Sequence, residues 1–93
     1  MVRINWTIQA RDDLKNIADY ISQDSVKYAK LQVVRIKTRT KILNTHIRIG
    51  KVVPEFSDPF LRELIKGNYR IIYRIVSETK VDILTIHHVA RKL

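Results

Sequence analysis

A group of charged side chains in the C-terminal half of the chain could cleave a phosphodiester bond of RNA without a metal ion. Such cleavage requires a base for the 2′-hydroxyl, cations for the charge that builds on the phosphate, and an acid for the leaving oxygen. Residues of these types are Arg62, Glu63, Arg70 and His88. Arg62 and Arg70 would supply positive charge. Glu63 or His88 would act as base or acid, and His88 is the better candidate because free imidazole titrates near neutrality.

Other basic residues near these positions indicate binding rather than catalysis. Even spacing places Arg70 and Arg74 on one face of a strand, and Lys66 follows Arg62 on the strand before it. A basic patch on one sheet face could bind RNA. It could equally coat a solvent-exposed face or bind the acidic groups of a protein partner, since charge alternation is normal on a half-buried strand. We therefore predict Lys66, Arg74 and Arg91 as residues that bind a target or a partner.

The histidines do not indicate a metal site. His87 and His88 are adjacent, so they point to opposite faces if both lie in a strand, and His46 falls in a distant helical region. A zinc site needs several such ligands in one tight geometry. The chain also has no cysteine, which excludes disulfides and thiolate metal sites. We predict no metal and no cofactor.

Length and charge restrict the class of protein further. With 93 residues the chain has room for one hydrophobic core, so we predict a single domain over residues 1–93. Eighteen Lys and Arg against nine Asp and Glu give a net charge of +9. Such an excess favours nucleic acid, the ribosome or an acidic protein as partner, and charge alone does not choose among them. No stretch is apolar enough for a signal peptide or a membrane span, so we expect a soluble cytoplasmic protein that binds no membrane.

Periodicity predicts the elements that would position these side chains. Residues 2–6 alternate as in a strand, and Thr7 suits the N-cap of a helix. Its apolar stripe consists of Ala10, Leu14, Ile17, Ala18 and Ile21. After a cap at Asp24 or Ser25, a second seam follows the spacing of a helix packed along another helix. That seam consists of Val26, Ala29, Val33, Ile36, Thr40, Leu43 and Ile47. The two helices should form an antiparallel hairpin.

The pattern of the second half of the chain predicts strands. Residues 61–66 and 69–76 flank Gly67-Asn68, a dipeptide suited to a tight hairpin turn. Residues 81–86 form the most apolar run, which is typical of a central strand. The predicted order is β-α-α-β-β-β. The predicted fold is α+β, with the two-helix antiparallel hairpin packed on an antiparallel sheet.

Residues along nearly the whole chain resemble those of the RelE/ParE superfamily, the toxins of type II toxin–antitoxin systems. In the first half these are Trp6-Thr7, Ala10, Asp13-Leu14, Ile17, Tyr20 and Ile21. In the second half they are Gly50, Val53-Pro54-Glu55, Arg62-Glu63-Leu64, Tyr69 to Arg74, Ile83-Leu84, His87-His88 and Arg91. The resemblance implies a RelE/ParE-like fold and a cognate antitoxin, whose acidic or apolar segment wraps the toxin in a hetero-oligomer.

The superfamily has two kinds of target. RelE-like members are ribosome-dependent endoribonucleases that cut messenger RNA, whereas ParE-like members poison DNA gyrase and are not known as nucleases. RelE-like ribonucleases often carry a catalytic aromatic residue or a His-Tyr pair beyond the last strand, but no tyrosine occurs among residues 88–93. The chain therefore resembles ParE more than RelE, which favours a gyrase inhibitor. In that interpretation Tyr20, Tyr28 and the basic second helix could form a protein-binding surface. This interpretation favours a protein without enzymatic activity, and the alternative is a metal-independent messenger RNA endoribonuclease.

Overall fold

Two helices pack against a five-stranded sheet in the computed structural model, which describes residues 1–90. The elements are β1 (Arg3–Trp6), α1 (Ile8–Ser22), α2 (Val26–Thr40), β2 (Lys51–Val52), β3 (Leu61–Lys66), β4 (Tyr69–Ser77) and β5 (Lys80–His88). A 3₁₀ turn at Lys41–Asn44 follows α2 directly. The predicted α+β order is confirmed, with the two-residue β2 as an addition inside the connection before β3.

The sheet is mixed rather than antiparallel throughout. Its strand order is β1-β5-β4-β3-β2, and β1 runs parallel to β5 while the other neighbours pair antiparallel. The predicted antiparallel sheet is therefore confirmed for β2 to β5, whereas β1 pairs parallel with β5. Two strands joined by a tight hairpin must run antiparallel. The chain connects β1 to the rest of the sheet through the helices, so no turn sets the direction of β1. β5 is an interior strand, as its apolar run predicts.

Side-chain caps fix where each helix begins. The Thr7 Oγ1 accepts from the Ala10 N–H at 3.2 Å and donates to the Ile83 carbonyl at 2.8 Å, which ties the start of α1 to β5. The Ser25 Oγ accepts from the Tyr28 N–H at 3.1 Å at the start of α2. Of the two predicted caps for the second helix, the structure uses Ser25 rather than Asp24. Both caps satisfy amide groups that have no partner inside the helix.

The predicted seam of the second helix continues past the end of α2. The 3₁₀ turn keeps Leu43 directed into the core, and Ile47 is also buried, although the α-helix ends at Thr40. Val26, the first seam residue, is instead 58% exposed. The core is formed by residues of both helices, the 3₁₀ turn and strands β3, β4 and β5. Its buried members include Ala10, Leu14, Ile36, Leu43, Leu64, Ile71, Tyr73, Ile75, Val81, Ile83 and Ile86.

A buried tyrosine on β4 holds the chain where it leaves the helical region. The Tyr73 hydroxyl donates to the Ile47 carbonyl at 2.8 Å and accepts from the Gly50 N–H at 3.0 Å. A side chain at position 50 would not fit, because a Cβ on Gly50 would lie 2.6 Å from the Glu63 carbonyl oxygen and 2.7 Å from the Tyr73 Oη. The close approach of this backbone to the sheet therefore requires glycine.

We predict that Tyr73→Phe lowers the free energy of unfolding by about 1–3 kcal/mol, because it leaves the Ile47 carbonyl and the Gly50 amide buried without a partner.

Burial also raises the pKa of Tyr73. A raised folded-state pKa gives stability that is present below the ordinary tyrosine pKa and is lost as the pH rises, so the wild-type free energy should fall above about pH 10. The phenylalanine variant should fall less steeply. Urea unfolding at neutral and high pH, with exposed Tyr20→Phe as control, measures both effects; equal pH slopes would contradict the prediction.

Candidate functional site

Arg70, predicted on an exposed sheet face, is buried between two carboxylates. Its Nε donates to the Glu63 carboxylate at 2.9 Å, and its two terminal nitrogens donate to the two oxygens of Glu55 at 2.8 Å each. Arg70 is only 7% exposed. The hydrogen bond with Glu55 raises the pKa of Arg70 above its ordinary value, so the guanidinium stays charged. This cluster, which we name the Arg70 cluster, fastens the connection before β3 onto the sheet.

The second arginine of this face is in a different environment. Arg74 is exposed, and its guanidinium lies 3.6 Å from the Asp58 carboxylate at the surface. By register Arg70 pairs with Ile65 and Arg74 with Leu61, so both lie on the same side of β4. Arg70 is held between Glu63 and Glu55, whereas the ion pair of Arg74 with Asp58 is exposed. The two arginines therefore do not form one open basic patch.

Arg62 contacts backbone rather than a carboxylate. Its Nε donates to the Pro59 carbonyl at 2.7 Å, and its Nη1 donates to the Gly50 carbonyl at 3.1 Å. These bonds join Arg62 to the residue just before β2 and to the end of the segment that links β2 to β3. Arg62 pairs with Tyr73 in the sheet, and strand alternation therefore places it on the opposite face from Glu63. The predicted catalytic cation is thus engaged in holding the connection.

His88 lies at the end of β5, away from the Arg70 cluster. It pairs with Tyr69, and the two rings meet edge to face with centroids 5.8 Å apart. Its Nδ1 accepts from the Ala90 N–H at 3.2 Å. The residue opposite Arg70 is His87, so the predicted alternation of the two histidines agrees with the register.

The structure brings together only part of the predicted acid–base site. Glu63 and Arg70 are joined, whereas Arg62 and His88 lie on the other side of the sheet by register. Lys66 pairs with Tyr69 and is half-buried, and Arg91 lies outside the described residues. Within residues 1–90 no group of three His, Asp or Glu side chains could hold a metal ion.

A groove of about 780 Å³ lies between β1, α1 and the end of α2. Its apolar lining consists of Val2, Ile4, Trp6, Leu14, Ala18 and Val33. Its basic residues are Arg3, Arg11, Lys15, Lys37 and Lys41. None of these five forms an ion pair within the part of the chain that the structure describes. We name this feature the β1 groove; an apolar lining with unpaired positive charge suits an apolar segment that carries acidic groups.

The β1 groove is next to an open sheet edge and to a second cavity. β1 is a terminal strand of the sheet, so among residues 1–90 its outer edge has no partner strand. The second cavity, of about 400 Å³, lies along the seam between α1 and α2 and shares Ala18 and Val33 with the groove. Sequence patterns did not predict the groove, although the basic residues Arg11 and Lys15 beside the apolar stripe of α1 give a partial signal.

Comparison with protein families finds one match. The model of the ParE toxin of the type II toxin–antitoxin system parDE matches residues 4–93. No curated protein sequence matches the chain significantly. Within the described residues, no helix has the length and apolar character needed to cross a membrane.

Solved structures include chains similar to this one, and two of them come from toxin–antitoxin systems. One belongs to the chromosomal ParDE toxin–antitoxin system from P. aeruginosa, with 27% identity and a TM-score of 0.76, covering 96% of this chain and 97% of that one. The other belongs to the toxin–antitoxin complex RelBE2 from Mycobacterium tuberculosis, with 27% identity and a TM-score of 0.54, covering 94% and 96%. The higher TM-score is with the ParDE chain.

Proposed function

The chain belongs to the family of ParE toxins of type II toxin–antitoxin systems, and from this premise we propose that it acts in the cytoplasm as a poison of DNA gyrase that a cognate antitoxin neutralises. The observation that supports gyrase over messenger RNA is the separation of the residues suited to RNA cleavage. The RelE-like endoribonuclease is the alternative, with Arg62, Glu63, Arg70 and His88 as its candidate catalytic residues.

Their geometry argues against acid–base cleavage. A general base must lie within about 3 Å of the proton that it removes, directly or through one water. The Glu63 carboxylate is instead bound to Arg70, and Arg62 is directed to backbone carbonyls. His88 lies by register on the opposite face from Glu63. These four side chains therefore support the fold of the connection and of the strand ends better than they support a reaction.

We predict that His88→Ala leaves toxicity within about threefold of wild type, because gyrase poisoning needs no general acid at this position, whereas loss of a general acid or base costs roughly 100- to 10,000-fold. The measurement is the inducer concentration that stops growth of cells expressing the toxin. His87→Ala, on the opposite face, is the matched control. A His88 variant that folds but loses toxicity, beside an active His87 variant, would favour the endoribonuclease.

We infer that the antitoxin places an apolar segment with acidic side chains in the β1 groove. The apolar lining and the five unpaired cations support this partner. The open edge of β1 adds backbone partners. The Arg3 N–H donates to the carbonyl of Thr79, just before β5, and the Thr7 N–H donates to the carbonyl of Ile83 in β5. Alternation therefore directs the amides of Ile4 and Trp6 away from β5. An extended segment could pair there while its side chains enter the groove.

The partner should also stabilise the toxin. A chain of this length buries only roughly 60 to 65% of the surface that its unfolded form exposes, so its stability alone is modest. A ligand that binds only the folded chain adds to that stability by mass action. The toxin and antitoxin should therefore be most stable as a hetero-oligomer.

A further inference from the structure

The outward face of α2 carries positive charge without negative charge. Lys27, Lys30, Val34, Lys37 and Lys41 recur at alternating steps of three and four residues, which places them in one stripe along the helix and the turn that follows it. All five side chains are exposed. We name these four lysines the lysine stripe.

The stripe lies opposite the buried face of the helix, whose inward residues are Ala29, Gln32, Ile36 and Thr40. α2 contains no Asp or Glu at all, and none of the four lysines forms an ion pair within residues 1–90. A solvated helix face usually carries both positive and negative side chains, because opposite charges four residues apart stabilise a helix and like charges destabilise it. Lys37 and Lys41 are such a like-charged pair. A surface of this kind is complementary to an external polyanion.

We propose that the lysine stripe binds the phosphate backbone of duplex DNA without reading its sequence. From Lys27 to Lys41 the stripe extends about 21 Å at 1.5 Å per residue, which matches roughly six base pairs of duplex. Lysine contacts phosphate as a mobile point charge, and the stripe has no Arg, Asn or Gln that could recognise a base edge.

The composition of the stripe favours nucleic acid over an acidic protein. The cores of protein interfaces are depleted in lysine and enriched in aromatic residues, methionine and arginine. The stripe consists of four lysines, and the one other residue in their row is Val34. A linear row of lysines without an aromatic anchor suits a regular polyanion better than it suits a protein surface.

DNA binding at this site would compete with neutralisation of the toxin by the antitoxin. Lys37 and Lys41 also line the β1 groove, so an antitoxin segment in the groove would cover half of the stripe. This competition rests on the proposed function, because it requires the antitoxin to occupy the groove. Binding to DNA itself requires neither the antitoxin nor gyrase. A toxin that contacts DNA is also concentrated where its target enzyme is loaded.

Fluorescence anisotropy with a labelled duplex of about 20 base pairs, titrated at salt concentrations from roughly 0.05 to 0.2 M, tests the proposal. Four phosphate contacts give a slope of log K against log salt near about −3.6. Lys27→Gln/Lys30→Gln removes two contacts outside the β1 groove, so the slope should fall to about −1.8 and the affinity roughly 60-fold at 0.1 M salt. Lys51→Gln/Lys80→Gln removes the same charge from β2 and β5, and it should change affinity less than about threefold with the slope unchanged.

Two results would overturn the proposal. If both pairs of substitutions weaken binding equally, or neither does, the stripe is not a DNA site. If the stripe variant binds duplex normally but loses affinity for a polyglutamate peptide, the face recognises acidic protein instead. Thermal unfolding of each variant checks that these exposed substitutions leave the fold intact. Because the duplex assay contains neither gyrase nor antitoxin, its failure would leave the proposed function untouched.

Discussion

Arg70→Ala is expected to lower the free energy of unfolding by about 3–5 kcal/mol, the range for breaking a buried ion pair by removing one partner. The substitution leaves Glu63, which is only 8% exposed, without its cation, and it releases Glu55 from a two-point contact. A chain of this size has a total stability of only about 5–15 kcal/mol, so the variant should be largely unfolded well below the wild-type melting temperature.

Arg74→Ala is the matched control, since Arg74 lies four residues along the same strand and on the same side. Its contact with Asp58 is exposed, and exposed ion pairs contribute about 0–1 kcal/mol. Arg70→Lys should fall between the two, because lysine keeps the charge and loses the forked contact with Glu55. Urea unfolding at neutral pH measures all three variants. Equal losses for Arg70→Ala and Arg74→Ala would show that the Arg70 cluster does not hold the connection.

Ala18→Glu is expected to weaken antitoxin binding at least about 100-fold, because a charge buried in an interface without a partner costs about 2–5 kcal/mol. Ala18 lies where the β1 groove meets the cavity of the helical seam. A carboxylate there would be desolvated by the incoming segment and would repel its acidic groups. The free toxin should keep its fold, since glutamate is a good helix former and Ala18 is only partly buried.

The control is Asn16→Glu, which makes the same change of charge on the exposed, opposite side of α1. Titration calorimetry with purified antitoxin should give near wild-type affinity for Asn16→Glu and weak binding for Ala18→Glu. In cells, Ala18→Glu should stop growth even when the antitoxin is co-expressed. Wild-type affinity of Ala18→Glu would place the antitoxin outside the groove.

Local patterns in the sequence predict most of the elements. Periodicity and capping locate both helices, and Gly67 at φ 58° occupies the turn that its dipeptide predicts. The end of α2 is less predictable, because the 3₁₀ turn continues the inward spacing of Leu43 after the α-helix has ended. The parallel pairing of β1 with β5 joins residues more than 70 positions apart and has no local signal.

The candidate site was less predictable, for one physical reason: burial of a strand residue depends on what covers it. Alternation correctly places Arg70 and Arg74 on one side of β4, but it does not reveal that Glu55 and Glu63 bind Arg70 in a buried cluster while Arg74 stays exposed. It likewise places Arg62 and Glu63 on opposite faces of β3, although residue type alone groups them as catalytic candidates. The β1 groove requires β1 beside the end of α2, a contact between distant parts of the chain that composition does not encode.

We propose that this ParE-family toxin acts on gyrase. The most direct test adds the purified chain to a gyrase supercoiling reaction and, in parallel, to a translating ribosome mixture, each with and without the antitoxin. We predict that the chain inhibits supercoiling or traps cleaved DNA and that messenger RNA stays intact. The antitoxin should relieve the effect on gyrase. Cleavage of messenger RNA on the ribosome with gyrase unaffected would contradict the account and make Arg62, Arg70 and His88 the first residues to substitute.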